Sequence, residues 1–164
     1  MFRLPIALLL FLGGCVLQQD TSQVERIEIN QSGEEALVIA VSRDGHGSFE
    51  RIGTTPPNWI GPPPPNTRGT FRLNANELQA LERQLSEFQE QAVPRTDASL
   101  RAIMDWRCPE GTPFTYDLGA IYVRWMGAKS DVHYWADLGC DKIRMRSRNA
   151  KLFAAIQSLP IPPR

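Results

Sequence analysis

A short apolar leader at the start of the chain constrains the fold more than any other feature. Arg3 is followed by an apolar run from Leu4 to Leu12, two glycines and Cys15. The run is too short to cross a bilayer as a helix, which takes roughly 20 apolar residues. A basic start, a short apolar run and small residues before a cut site are the layout of a secretory signal peptide. We therefore expect residues 1–14 to be removed from an exported chain.

The end of the leader carries a second signal. The residues Leu12-Gly13-Gly14-Cys15 resemble the lipobox of bacterial lipoproteins. The resemblance implies that the Cys15 thiol receives a diacylglycerol, that the chain is cut before Cys15, and that the new amino terminus is acylated. Each buried methylene contributes about 0.8 kcal/mol, so two or three acyl chains would hold the protein permanently at a membrane. The alternative is an ordinary signal peptide whose cut site lies near a cysteine.

The residues after the lipobox predict the location and the tether. Val16, rather than Asp, follows Cys15, and by resemblance to the sorting of Gram-negative lipoproteins this favours the outer membrane, facing the periplasm. Residues 15–23 predict a lipidated tether, of which Val16 to Gln23 reach roughly 25 Å if extended. Residues 24–164 predict a single domain.

Size and charge limit the classes of partner. Removal of the leader leaves 150 of the 164 residues, with 17 basic and 18 acidic side chains. That length is enough for one domain with a hydrophobic core. A near-neutral balance argues against nucleic acid as a partner, since that needs a net basic face.

The cysteine count predicts a disulfide. If Cys15 is acylated as the resemblance implies, Cys108 and Cys140 remain to pair. The functional alternative is a metal or redox site, but the two cysteines lack Cys-x-x-Cys spacing and have no histidine close by in sequence. The spacing favours the structural disulfide, and no metal or cofactor is expected.

The first half of the domain predicts a hairpin. Glu25 to Asn30 alternates as a strand, and Ala36 to Ser42 is apolar on both faces, which is typical of a central strand buried from two sides. Arg43 to Gly47 predicts a turn, because glycine adopts positive φ without strain. Ser48 to Ile52 predicts the returning strand.

A proline-rich segment, Gly53 to Arg68, follows the hairpin. Proline lacks an amide donor and favours extended geometry, so this segment predicts a loop. We expect a stiff connector whose Trp59 and Ile60 pack on the core. The alternative is a segment that binds a partner.

A helix is predicted after the loop. Asn74 and Glu77 have the spacing of a capping box, and Leu73 and Leu78 that of a hydrophobic staple. The helix should end before Pro94. Its apolar stripe consists of Leu78, Leu81, Leu85 and Phe88.

The second half of the domain predicts a second hairpin, over Gly119 to Asp137. Before it, Ala98 to Trp106 suits either a short helix or an extended lead into Cys108. After it, we expect a short strand, Ile143 to Met145, and then a helix that Pro160 stops. The apolar residues of this helix are Leu152, Ile156 and Leu159.

These elements predict the α+β class, with a mainly antiparallel sheet and two amphipathic helices on one face. Each half has the order hairpin, short extended piece and helix. We therefore interpret the chain as a possible ββαββα duplication, although too few residues match to claim a sequence repeat.

Two histidines are candidates for chemistry. Asp44, His46 and Ser48 invite comparison with a catalytic triad, but residues at spacing two in a tight turn cannot easily point at one another, so a turn is the favoured interpretation. His133 lies on a predicted strand. A metal site would need both histidines and a carboxylate such as Asp44 or Asp131, and a surface or hydrogen-bonded histidine is favoured instead.

A basic stretch is the candidate binding surface. Lys142, Arg144, Arg146 and Arg148 alternate with mostly apolar residues, so they would share one side of an extended chain. With Trp59, they form a possible binding face for lipid phosphates, acidic polymers or an acidic protein. The alternative is a solvated edge strand that its charges protect from aggregation.

The sequence lacks the motifs of several enzyme classes, such as Gly-x-Ser-x-Gly and His-Glu-x-x-His. We therefore expect a non-catalytic, lipid-anchored envelope protein that binds another envelope protein or polymer. The alternative is an inhibitor or immunity protein that plugs a secreted hydrolase with the loop Thr54 to Asn66. A hydrolase around His46 or His133 is a third hypothesis.

Overall fold

The computed structural model describes residues 24–33, 36–53, 60–62, 64–96, 98–99, 101–103 and 108–163. The leader, Cys15, the tether and Trp59 lie outside the described residues. Export, lipidation and sorting therefore stay predictions. No helix among the described residues is both long enough and apolar enough to span a membrane.

Within the described parts of the chain, seven antiparallel strands form one sheet, and two long helices accompany it. The strands are β1 Val24–Gln31, β2 Ala36–Ser42, β3 His46–Ile52, β4 Thr67–Arg72, β5 Val93–Pro94, β6 Ala120–Gly127 and β7 Asp131–Asp137. The helices are α1 Ala75–Gln89 and α2 Arg146–Gln157. Across the sheet the order is β4-β3-β2-β1-β6-β7-β5. The predicted α+β class with a mainly antiparallel sheet is confirmed.

The predicted first hairpin is confirmed. β2 has the predicted bounds, and β3 begins two residues earlier than expected, at His46. Gly45 in the turn has a φ of +82°, and a Cβ at this position would clash with the Leu73 carbonyl oxygen. Glycine is therefore required at this turn.

The core lies on one face of the sheet. Ile29 is paired with Ile39 on one side and with Val123 on the other, and Val123 is paired with Tyr134. Residues directly opposite one another share a face, and these four belong to one buried cluster that includes residues of both helices. The prediction that β2 is buried from two sides is wrong, because Val38, on the other face, is 39% exposed.

Helix α1 begins at the predicted capping box. Asn74 Oδ1 accepts hydrogen bonds from the backbone N–H groups of Asn76 (2.9 Å) and Glu77 (3.0 Å). In return, Glu77 Oε2 accepts one from the Asn74 N–H at 2.7 Å. The helix ends at Gln89, before Pro94 as predicted.

The loop between β3 and β4 is described in part. Residues 54–59 and 63 lie outside the described residues, so the expectation for Trp59 is untested. The expectation that Ile60 packs on the core is wrong, because its side chain is 99% exposed.

The second hairpin and the disulfide are confirmed. β6 and β7 pair antiparallel, and Cys108 and Cys140 are bonded, with their Cα atoms 5.7 Å apart. Residues 98–99 and 101–103 are helical, which favours the helical alternative for this segment.

The strand predicted over Ile143 to Met145 is wrong, since residues 141–145 form turns. The backbone N–H of Met145 donates to the Asp141 carbonyl at 2.9 Å, and the N–H of Arg144 donates to Asp141 Oδ1 at 3.2 Å. These local hydrogen bonds start the chain into α2 in place of an extended segment. α2 ends at Gln157, so Leu159 is buried just beyond the helix.

Candidate functional site

The face of the sheet opposite the core carries two rows of side chains across β1, β6 and β7. The strand register places three residues of each row directly opposite one another: Asn30, Tyr122 and Trp135 in the first row, and Glu28, Arg124 and His133 in the second. The rows lie two residues, about 7 Å, apart along the strands. With Arg95 and Thr96, which follow β5, these six side chains line a cleft of about 510 Å³. We call it the open-face cleft.

Arg124 is the centre of the charged row. Its Nε and Nη2 donate to the two carboxylate oxygens of Asp131, both at 2.7 Å, and its Nη1 lies 3.4 Å from Glu28 Oε2. The hydrogen bonds from Arg124 lower the pKa of Asp131, and those to Asp131 raise the pKa of Arg124. This bidentate geometry fixes the guanidinium plane within the cleft.

The charges around the cleft do not balance. Arg26 pairs with Glu28 at 3.0 Å, and Arg124 pairs with Asp131. Arg95 is exposed and forms no ion pair with another described residue. Three guanidinium groups and two carboxylates therefore leave a net charge of +1, and Arg95 is the guanidinium that forms no ion pair with a described residue.

His133 lies beneath the cleft and is 1% exposed. Its Nε2 is 2.9 Å from Ser99 Oγ, and its Nδ1 is 3.2 Å from the Tyr122 hydroxyl. Burial, followed by the positive charge of Arg95, lowers the pKa of His133 below its ordinary value of 6.5. The imidazole is therefore neutral at pH 7, with each ring nitrogen next to a hydroxyl group.

Ser99 is the residue that most resembles a nucleophile, because its hydroxyl contacts a neutral histidine. The same oxygen accepts the Thr96 N–H at 2.8 Å, and Thr96 Oγ1 accepts the Ser99 N–H at 3.1 Å. These reciprocal bonds form a capping box for the short helical segment. The second nitrogen of His133 faces a tyrosine hydroxyl in place of the orienting carboxylate of a triad. The contacts therefore favour a structural role for this pair.

The structure supports the turn interpretation for Asp44 and His46. Asp44 Oδ1 accepts from Ser42 Oγ at 2.6 Å and from the His46 N–H at 3.2 Å. The bond from Ser42 is the main reason that the pKa of Asp44 is lowered. His46 Nε2 is 2.8 Å from Arg72 Nη1, and since guanidinium only donates, this nitrogen accepts. Ser48 lies on β3 beyond this network, so the three residues do not form a triad.

The two histidines do not meet. His46 lies on β3 and His133 on β7, with β2, β1 and β6 between them in the sheet. Among the described residues, no group of three or more His, Cys, Asp or Glu side chains is placed to hold a metal ion.

The basic stretch follows a different path from the one predicted. Because residues 141–145 turn into α2, its side chains divide between two recesses. Lys142 and Arg146 line a recess of about 580 Å³, whereas Arg144 and Arg148 line another of about 470 Å³. Arg144 is paired with Asp141 at 3.0 Å, and Arg148 donates to the Asp137 carbonyl at 2.7 Å. The four residues do not form one row along a strand.

Most of the open-face cleft was not predicted from the sequence. The second hairpin was predicted over Gly119 to Asp137 with no role for Tyr122 or Arg124, and Glu28, Asn30 and Arg95 were given none. Polar and aromatic residues at alternate positions of β6 and β7 were the available signal. No comparable sequence pattern indicates that β1 pairs with β6, since the two strands are some 90 residues apart in sequence.

Comparison with known protein families and curated sequences found no match.

Proposed function

We propose that this protein is a non-catalytic lipoprotein of the cell envelope that binds another envelope protein or polymer. Cys15 would carry the lipid, and the domain would face the periplasm from the outer membrane. The lipobox supports the anchor. The observation that carries the binding role is the open-face cleft, six of whose eight lining residues lie on the face of the sheet opposite the core.

The contacts in the cleft favour binding over catalysis. Arg124 is held by Asp131 and Glu28, and His133 is held by Ser99 and Tyr122. Side chains fixed by such contacts lose little freedom when a ligand arrives, so preorganisation favours affinity. A reactive group would need an unpaired acid, base or nucleophile at the cleft surface.

The finer architecture belongs to the same proposal. Both helices would be amphipathic and cover the core face, since the buried residues of α1 and α2 belong to one cluster with the inward residues of the strands. The ββαββα duplication is supported by a hairpin and a following helix in each half. It lacks support at residues 143–145, where the second half has turns in place of a strand.

The anchor is tested by metabolic labelling with a radioactive fatty acid. We expect label on the wild-type chain, none on Cys15→Ser, and release of the Cys15→Ser form from membranes. Cys108→Ser is the matched control, because this cysteine is already disulfide-bonded and its loss should leave labelling unchanged. An unlabelled wild-type chain would overturn the anchor.

The binding role is tested by photo-crosslinking in intact envelopes. A photoreactive residue at Thr96, which is exposed in the cleft lining, should give discrete adducts. The same residue at Asn76, which is exposed on α1, is the control and should give none. Equal adducts at both positions, or none at Thr96, would count against a binding site in the cleft.

One observation favours the second candidate, an inhibitor of a secreted hydrolase. Ile60 is 99% exposed in the loop between β3 and β4, as an anchor residue for a partner's pocket would be. If this is its role, Ile60→Asp would abolish a stoichiometric complex with a secreted hydrolase, whereas Val38→Asp, on the sheet face, would leave that complex intact.

A further inference from the structure

We propose that the open-face cleft binds an acidic glycan, a sugar polymer whose rings carry carboxylate groups. This inference rests on the proposed binding function, because it names the class of polymer that the cleft would take. Three features of the cleft carry it: an aromatic row, a row of hydrogen-bonding groups, and the exposed guanidinium of Arg95, which forms no ion pair with a described residue.

The aromatic row suits the face of a sugar ring. Tyr122 and Trp135 lie directly opposite one another on β6 and β7, and both are half-buried. Sugar rings present a face of C–H groups, and an indole or phenol ring offers a rigid flat surface to such a face. The hydrogen bond to His133 holds the Tyr122 ring in place.

The charged row, which contains Glu28 and Arg124, suits the hydroxyl groups at the edge of a sugar ring. Arg124 has five N–H donors, of which three are directed at Asp131 and Glu28, so two remain. Glu28 and the Asn30 amide add further polar groups to the lining. Asn30 Oδ1 is buried and has no hydrogen-bond partner among the described residues. Sugar hydroxyls both donate and accept, so they match a lining of mixed polarity.

Arg95 selects for a carboxylate. Its backbone is fixed to β7, because its N–H donates to the Asp131 carbonyl at 2.9 Å. Its side chain is exposed and forms no ion pair with a described residue, and after the hydrogen bonds from Arg124 its charge also helps to lower the pKa of Asp131. Guanidinium binds carboxylate in a bidentate, planar geometry. An acidic sugar would therefore place its ring on the aromatic row and its carboxylate on Arg95.

The size of the cleft fits this class of ligand. About 510 Å³ lies within the roughly 300–1,000 Å³ typical of small-ligand sites. The cleft opens on a sheet face, where a polymer can pass across the strands without threading through a closed cavity.

The test is calorimetric titration of the full chain in detergent micelles. The probes are a four-residue galacturonate oligosaccharide and the matching neutral galactose tetramer. We expect the acidic probe to bind more tightly. Arg95→Gln should weaken the acidic probe roughly tenfold, the loss of one charge-assisted contact, and should leave the neutral probe unchanged. Trp135→Ala, checked for folding by circular dichroism, should weaken both probes.

Arg43→Gln is the matched control, since Arg43 is exposed in the first hairpin turn and is not among the residues that line the cleft. Equal weakening by Arg43→Gln and Arg95→Gln would mean general charge attraction and would overturn the inference. Equal affinity for both probes, or no binding of either, would also overturn it. If neither probe binds while Thr96 still gives discrete adducts in envelopes, the glycan inference fails and the binding function stands.

Discussion

Arg124 and Asp131 are joined across the β6–β7 hairpin by two parallel hydrogen bonds of 2.7 Å. Asp131 is the first residue of β7, and Arg124 lies diagonally opposite on β6. The pair therefore joins the start of β7 to the middle of β6, and it orients the Arg124 guanidinium towards Glu28 on β1. The central cation of the cleft is positioned by a carboxylate that is outside its lining.

Asp131→Asn is expected to destabilise the fold at pH 7 by about 1 kcal/mol, because solvent screens this partly exposed pair. Arg124 lowers the pKa of Asp131 below its ordinary 3.8. The stabilisation is therefore complete well above 3.8, and it is lost as the pH falls through the lower folded-state pKa. Urea unfolding at pH 7 and at about pH 3 should show a difference between wild type and variant that shrinks in acid.

Asp117→Asn is the control for this prediction, since Asp117 is exposed in a turn before β6. It should leave the stability at pH 7 nearly unchanged. A pH-independent difference between wild type and Asp131→Asn would show that the carboxylate charge is not what stabilises the hairpin.

His133 is expected to make stability fall in mild acid. Its pKa in the folded state is below 6.5, so on acidification the unfolded chain takes up the proton first. Stability is therefore full above pH 6.5 and decreases as the pH falls towards the folded-state pKa. His133→Gln should lose about 1–3 kcal/mol at neutral pH through its contacts with Ser99 and Tyr122, and should flatten this pH dependence. The urea midpoints of wild type and His133→Gln, measured across this pH range, check the prediction.

His46→Gln is the matched control, because His46 is exposed on β3. The stability of His46→Gln should still fall in mild acid, as that of wild type does and that of His133→Gln does not. If the slope disappears with His46→Gln instead, the assignment to His133 is wrong.

Local features of the fold could be read from the sequence. The capping box at Asn74 and Glu77, the turn at Gly45 and the alternation in β6 each depend on residues within a few positions of one another. The strand expected at 143–145 failed for a local reason as well. Alternating basic and apolar residues fit an extended chain, but Asp141 accepts hydrogen bonds from the residues three and four positions on and starts a helix.

The cleft depends on distant residues and could not be read in the same way. Glu28 meets Arg124 only because β1 pairs with β6, and the sequence does not say which strands become neighbours. His133 shows the same limit. One of its two hydrogen-bond partners, Ser99, comes from the segment after β5. The sequence predicts that His133 lies on a strand, but it does not show which residues contact the imidazole.

Gly45→Ala is expected to destabilise the fold by more than about 1 kcal/mol, since its φ is positive and the new Cβ would clash with the Leu73 carbonyl. Gly111→Ala separates the two causes. Gly111 has the same φ of +82° but no atom within 4 Å of a Cβ, so it reports the backbone strain alone. Thermal unfolding should show a larger loss for Gly45→Ala, and equal losses would mean that the Leu73 contact adds nothing.

The disulfide is expected to contribute roughly 3–4 kcal/mol, because it closes a long loop and restricts the unfolded chain. Cys108 and Cys140 are 32 residues apart and enclose the whole β6–β7 hairpin, which carries four residues of the cleft lining. The double variant Cys108→Ser, Cys140→Ser should therefore unfold at lower urea than wild type, and reduction of the wild type should give the same loss. Cys15→Ser should leave the midpoint unchanged. Two free thiols at Cys108 and Cys140 in the non-reduced protein, detected by mass spectrometry after alkylation, would contradict the bond, because a paired cysteine does not react.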